Sequence, residues 1–463
     1  MNMKKLIGTK EFYKKLMAVM LPILVQNAIT NFISLLDNVM VGRVGTEQMS
    51  GVSIVNQLLF VFYLCIFGAV SAAGLFTAQF FGKRDHDGVR HSFRFKIYSS
   101  LLLYALAMVL LLCFGDPLIK LYLHEGGETG DLALTMHYAK EYLAVSLIGL
   151  LPYTVTQIYA STLREIGQTL PPMSAGIVGV LVNLSLNYVL IYGKLGAPAL
   201  GVVGAAIATV VARFVECAAV ILWTHLHTQK CEFIKGVYAS FYVPAPLIKK
   251  ILIMGTPLLL NETLWAAGQA MLLQCYSVRG IAAVSAMNIT NTVYNTFSVL
   301  FMAVGSAVAI ELGHRLGAGE IAQARDDANK MIAFSAFMGV ITGVLVSICA
   351  PVFPYLYNTT EEVRSLAVTL TLIMALTSPI HAYLHACYFA MRSGGKTMIT
   401  FLFDSGFVWC INVVFAFALS RFTALPVTVV YLVVQLADII KVVLGTVLIA
   451  RGTWATNITK VKE

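Results

Sequence analysis

Residues 21–45 read LPILVQNAITNFISLLDNVMVGRVG, and residues 256–280 read TPLLLNETLWAAGQAMLLQCYSVRG. Each is mostly apolar and long enough to cross a bilayer as a helix, which takes roughly 20 residues. Each also has proline second and glycine last, so Pro22 matches Pro257 and Gly45 matches Gly280 at a separation of 235 residues. The register runs on without a gap, pairing Ser50 with Ser285, Asn56 with Asn291, Ser71 with Ser306, Gly82 with Gly317 and Arg90 with Arg325. Beyond a longer loop near 115–133 the separation falls to 227–228: Pro152 meets Pro379, Arg164 meets Arg392, Gly167 meets Gly395 and Arg213 meets Lys441. Matches of Leu or Val are cheap in an apolar chain; matches of Pro, Gly, Asn and Arg in one register mark an internal duplication.

Composition sets the solvent. Of 463 residues, 58% are hydrophobic and 12% charged, against about 25% charged in a soluble domain. The bilayer must therefore cover most of the chain. The formal charge of +9 comes from 32 Lys and Arg against 23 Asp and Glu. These charges lie in short loops between apolar runs, not in a patch or tail, so no nucleic-acid partner is expected. The basic start, residues 1–15, leads into an apolar run without a small-residue cleavage site, read as an uncleaved first span. Eight cysteines are scattered with no C-x-x-C pair, which points to neither a disulfide framework nor a zinc site.

Twelve segments qualify as spans: 15–39, 47–81, 93–114, 134–162, 170–192, 200–226, 248–275, 283–312, 329–353, 365–391, 397–420 and 426–450. Pro22, Pro152, Pro257 and Pro379 lie inside spans, where each removes a backbone donor and can bend its helix. With this threading, 23 of the 32 Lys and Arg fall on the side holding both termini and seven on the other. The first side is expected to be cytoplasmic, in a prokaryotic inner membrane. The expected fold is an all-α membrane protein. Its twelve transmembrane helices form two six-helix lobes related by a pseudo-two-fold along the membrane normal. The lobes are 1–228 and 251–463, joined by a cytoplasmic linker over 229–250. Parallel repeats of this kind enclose a cavity that opens to either side by rocking, which is the architecture of a transporter; duplication is also simply a way to build a stable bundle.

Ionisable and amide groups inside the bilayer need a reason to be there. Gln26, Thr30, Ser34 and Asp37 recur at helical spacing on one face of the first span, and such a face must look into protein or water. The repeat partner of Asp37 is Leu272, so the second half lacks this acid. Asn183 and Asn187 are four apart on the fifth span; their side-chain carbonyls could coordinate Na⁺, or the amides could join neighbouring helices. Glu262 and Gln269 share a face of the seventh span, and Asn288, Asn291 and Asn295 form a polar face on the eighth. These residues are read as the second half's share of a cavity lining. Arg213 with Glu216, and Asp438 with Lys441, are three apart and read as local ion pairs. His381 and His385, four apart near Pro379, are either proton carriers or structural hydrogen-bonding groups. Asp404 has no evident partner. The stretch Ser393-Gly394-Gly395-Lys396-Thr397 fails as a phosphate loop, because Ala390 stands where that motif needs glycine. No nucleotide-driven module is present, so an ion gradient is left as the energy source.

These features together resemble the multidrug and toxic compound extrusion (MATE) transporters over essentially the full chain. The resemblance rests on LPI at 21–23, DNVMVG at 37–42, QFFGKRDHDGVR at 79–90, LREIGQT at 163–169 with its degenerate copy MRSGGKT at 391–397, VNLSLNYVLIYG at 182–193 and GAAIATVVAR at 204–213. It implies two lobes around a central cavity, exporting small cationic or amphipathic compounds against H⁺ or Na⁺. By resemblance Asp37 is the coupling carboxylate and Asn183 belongs to the cation site. Asn187 stands where many relatives carry Asp, and Tyr142 and Thr209 are further site positions. A Na⁺ site at Asp37, Asn183 and Asn187 would lack that one charge. His381 stands where the NorM branch has an acid, and the sequence from Pro257 to Trp265 is closer to the DinF-type branch. The cavity set is then Gln26, Thr30, Ser34, Glu262, Gln269, Asn288, Asn291 and His381. Expected partners are a small-molecule substrate and the lipid bilayer, with the protein acting as a monomer and needing no cofactor beyond the coupling ion. Two rivals remain. A flippase of lipid-linked saccharides would want a more basic cavity. An intramembrane aspartyl protease would want paired Y-D and G-x-G-D motifs, and the contexts of Asp404 and Asp438 supply neither.

Overall fold

In a computed structural model of the chain, residues 6–42, 45–122, 131–357 and 359–460 are described, the side chains of 32–39, 42 and 46 excepted. Every regular element among them is helical. The long helices of the first half are α1 (Lys10–Gly42), α2 (Thr46–Gly82), α3 (His86–Lys120), α4 (Leu132–Ile148), α5 (Leu150–Glu165), α6 (Leu170–Tyr192) and α7 (Gly201–Leu226). Those of the second half are α8 (Ala245–Ser277), α9 (Ile281–Phe297), α10 (Val299–Gly317), α11 (Ile321–Cys349), α12 (Glu361–Ser393), α13 (Thr397–Phe401), α14 (Val413–Phe422) and α15 (Val427–Arg451). Ten stretches among the described residues are long and apolar enough to cross a membrane, and the α4–α5 pair, bent by 45°, makes an eleventh. The remaining expected span, the first, falls within α1.

The prolines act unequally. Pro22, Pro257 and Pro379 lie within unbroken helices. At Pro152 the missing N–H leaves the Ile148 carbonyl without its helical donor, and the helix breaks at Gly149, between α4 and α5. The stretch joining α13 to α14 also departs from α geometry, with π-helical turns at Leu402–Gly406 and Val408–Asn412. The paired motifs LREIGQT and MRSGGKT each end a helix on a glycine with positive φ, Gly167 at 80° and Gly395 at 75°. Only glycine takes that turn without strain, which explains why this residue recurs in both copies.

By contact the chain divides into two units. One comprises Val25–Thr77 and His86–Lys249, the other Met1–Leu24, Ala78–Asp85 and Lys250–Glu463. The second unit's core joins Leu16, Met20 and Ile23 of α1 to Val304, Leu312, Met391 and Trp454. It takes in residues 78–85 because Ala78 and Gly82 cross Gly313 and Gly317 without side chains between them. A Cβ on Gly82 would overlap the His314 carbonyl, and one on Gly317 the Gln79 carbonyl. This is a small-xxx-small crossing, made by residues that are repeat equivalents of one another. Gln79 then ties the C-terminal segment down. Its amide donates to the Ser393 and Thr456 carbonyls at 2.9 and 3.1 Å, and its oxygen accepts from Ile458 N–H at 2.8 Å.

Candidate functional site: polar clusters in two lobes

In the first unit, α6 and α7 pack along their length, and their polar residues meet. Asn183 Nδ2 donates to Thr209 Oγ1 at 3.2 Å, and Asn187 Nδ2 donates to Asn183 Oδ1 at 3.1 Å. Four-residue spacing stacks the two asparagines on one face of α6, and both are buried. Tyr142 on α4 donates to Asn56 Oδ1 on α2 at 3.4 Å. A cavity of about 320 Å³ opens between these helices, and Asn56, Tyr63, Tyr142, Ser146, Asn187, Thr209 and Arg213 are among its lining residues. Thus Tyr142, Asn187 and Thr209 share one cavity, with Asn183 bonded behind them. Asp37 and Ser34 lie in α1, but their side chains fall outside the described residues. Gln26 packs near Gly176, and Thr30 donates to the Gln26 carbonyl at 2.9 Å.

Arg213 does not form the expected local pair with Glu216. Its guanidinium donates to Tyr63 OH at 2.5 Å and to the Gly149 carbonyl at 3.4 Å, and lies 4.9 and 5.0 Å from the Tyr63 and Tyr153 ring centres. Spacing of three put both groups on one side of α7, but the helix break at Gly149 turns toward Arg213 a carbonyl that also accepts from Tyr153 N–H at 3.2 Å, and the two tyrosines offer a π surface. Arginine, planar and permanently charged, suits that setting.

The second unit holds a different cluster. The expected Asp438–Lys441 pair is likewise not made. Lys441 Nζ reaches Asp404 Oδ1 at 2.8 Å, while Asp438 Oδ1 accepts from Asn412 Nδ2 at 3.1 Å. His381 Nε2 lies 3.0 Å from Gln435 Oε1 and 3.5 Å from Asp438 Oδ2. Asn261 bridges α8 to the π-helical stretch: Nδ2 donates to Asp404 Oδ2 at 3.1 Å, and Ser405 Oγ donates to Asn261 Oδ1 at 2.8 Å. Sequence spacing sees contacts along one helix, so it missed every one of these cross-helix pairs. The match of Arg213 with Lys441 across the repeat was the available signal that both mattered. Glu262 is partly buried beside Asn261, while Gln269, Asn288 and Asn291 are exposed on α8 and α9.

A family model described as MatE matches residues 22–189 and again residues 257–418. The chain belongs to the MatE family. The two matches begin at Pro22 and Pro257, in the register of the internal repeat. This MatE protein is similar to the multidrug resistance protein MdtK of Pectobacterium atrosepticum, 26% identical over 78% of each chain. It is also similar to a probable multidrug resistance protein NorM of Halalkalibacterium halodurans, 25% identical over 91% of each. A solved structure described as the outward-facing conformation of a multidrug resistance MATE family transporter matches with TM-score 0.83 at 17% identity, covering 97% of this chain and 98% of that one. A transporter of the MOP superfamily from Pyrococcus furiosus matches with TM-score 0.83 at 18% identity over the same shares. The fold is thus the MATE fold of twelve transmembrane helices in two lobes, and the chain is a multi-pass membrane transporter, not an enzyme.

Proposed function

We infer that the chain exports small cationic or amphipathic compounds across a bacterial inner membrane in exchange for H⁺ or Na⁺, by alternating access. It works as a monomer with both termini in the cytoplasm, and belongs with the DinF-like branch on the strength of the Pro257–Trp265 sequence. One observation carries this reading: Tyr142, Asn187 and Thr209, singled out as cation-site positions, line a single cavity in the first lobe, with Asn183 hydrogen-bonded to two of that set. Asp37, at the outer part of α1, completes the coupling set. When it takes up a cation from outside, its charge is neutralised, the lobe closes at lower cost, and the substrate has already left. Gln26, Thr30 and Ser34 are the proposed substrate-facing residues of the first lobe, and Glu262, Gln269, Asn288, Asn291 and His381 those of the second.

Between the two ions, we propose H⁺. The Asn183 carbonyl accepts from the Asn187 amide, which leaves it one lone pair, and the Arg213 guanidinium stands in the same wall. A bound Na⁺ would face that fixed positive charge with an amide where an acid would have helped. Ethidium efflux from cells and proteoliposomes tests the coupling role. Asp37→Asn should be expressed normally and lose gradient-driven export altogether. Export at the wild-type rate by that variant refutes the assignment.

A further inference from the structure

The Asp404 carboxylate in the second lobe is held by two partners of unlike character. Asn261 is fixed in place: Ser405 Oγ lies 2.8 Å from both its side-chain and backbone oxygens and shares its single hydroxyl proton between them, and Ser405 N–H donates to the side-chain oxygen at 3.2 Å. From that anchored position Asn261 Nδ2 donates to Asp404 Oδ2. The acid's place is therefore set without help from Lys441. Lys441 depends on Asp404 far more. The Phe403 and Phe407 rings lie 5.1 and 5.8 Å from Nζ, and Asp438 and His385 are within electrostatic range without an ion pair to it. It lies ten residues before Arg451, the end of α15, or about 15 Å along the helix, too far for its stem to reach the helix end. The Asp404 side chain is 22% exposed and the Lys441 side chain 9%, so the acid is the accessible half of the pair. The π-helical turn at Leu402–Gly406 is what presents it, and such turns recur at functional sites.

The repeat sharpens the contrast. Arg213 and Lys441 occupy equivalent positions, yet Arg213 is satisfied by a tyrosine hydroxyl, a carbonyl and two rings. Arginine does not give up its proton in proteins, whereas buried lysine does so readily. Only the second lobe therefore has, at this position, a cation that can be discharged and a carboxylate that an incoming cation can take.

We propose that Lys441 is an internal counter-cation to Asp404, displaced by the exported cation and shedding one proton as it goes. The proposal rests on the antiport reading above and adds a second coupling site to it. In the step, the substrate's positive charge takes the place of the Lys441 ammonium beside Asp404. Two cations cannot share one carboxylate in so apolar a setting, and an ammonium left there without a counter-ion is costly. The N–H bond electrons stay on Nζ, the amine becomes neutral, and the proton passes to water. Net charge in the site is unchanged: one cation enters and one H⁺ leaves. On the outer side the step runs backwards, and a proton returning to Lys441 restores the pair and expels the substrate. Other titratable groups in electrostatic range of the pair are Glu262 on α8, Tyr294 on α9, His385 and Tyr388 on α12, and Asp438 on α15, with Arg392 on α12 in range of Glu262, His385 and Tyr388. Asp438 is engaged by Asn412 and His381, leaving Asp404 as the acid that meets Lys441.

The experiment uses purified full-length Asp37→Asn protein in weak buffer with a pH indicator, so that Asp37 cannot contribute. Tetraphenylphosphonium and ethidium are the probes, because each carries a fixed positive charge. About one proton should be released per cation bound, and affinity should rise about tenfold per unit of pH increase, as linkage of one proton requires. Lys441→Arg in the same background should release none, and Asp404→Asn should bind neither probe. Equal proton release from the Lys441→Arg protein, binding with pH-independent affinity, or no binding of either probe overturns the proposal. Should Lys441→Arg fail to fold, the pH dependence in the Asp37→Asn protein decides alone. Failure of the wider reading shows elsewhere: wild-type proteoliposomes would then not export either probe against an imposed gradient.

Discussion

Asn187 illustrates how much one atom type decides. Its Nδ2 donates to Asn183 Oδ1, a bond that an ionised Asp cannot make. Asn187→Asp would set a carboxylate against an amide oxygen, an arrangement that a proton or a metal ion between them, or a flip of the Asn183 amide, relieves. If H⁺ is the wild-type coupling ion, as proposed, the variant should gain a Na⁺ dependence. Melting of the purified variant should shift upward with NaCl relative to choline chloride, by several degrees, while the wild type stays flat. A flat response in both would remove the argument that position 187 sets the choice of ion. Arg213 makes a related point. Its charge was plain in the sequence, but its partners come from α2 and from the break before α5, which spacing along α7 cannot reveal.

At the scale of elements, helix breaks and close crossings do most to place the polar groups. Pro152 breaks its span while Pro22, Pro257 and Pro379 leave theirs continuous, so proline alone does not determine a kink; the packing around it does. The crossing of α2 with α10 depends on glycine at two repeat-equivalent positions. Gly317→Ala would drive a methyl group into the Gln79 carbonyl, which cannot move without breaking the α2 backbone ladder. Overpacking of this kind costs about 1–3 kcal/mol. The variant should melt measurably below wild type by fluorescence-detected size exclusion. An unchanged melting temperature would mean that the two helices separate more freely than their geometry implies. The π-helical turns around Asp404 and Asn412 had no signature in the apolar pattern, because a one-residue widening leaves composition untouched.

For the molecule as a whole, the grouping of residues 78–85 with the second unit depends on few contacts. Gln79 makes three hydrogen bonds to Ser393, Thr456 and Ile458, and Trp454 is buried beneath them at 2% exposure. Gln79→Ala removes all three and strands buried backbone groups without partners, at about 1–3 kcal/mol for each such group. Amide exchange over residues 452–460 should then accelerate at least tenfold while the helix cores of α11 and α12 stay protected. Unchanged exchange there would show that Trp454 alone anchors the segment.

Spans, duplication and family were readable from the chain, because bilayer crossing imposes a length and a composition on every helix and a repeat preserves Pro, Gly, Asn and Arg in register. Backbone needs of a purely local kind were readable too, as at Gly167 and Gly395, where a left-handed turn demands glycine. Pairings were another matter. Asp438 and Lys441 stand one turn apart on α15 yet bond to different helices, and Arg213 turns from Glu216 to two tyrosines. Which acid meets which base depends on distances between helices far apart in sequence, and only tertiary packing sets those distances.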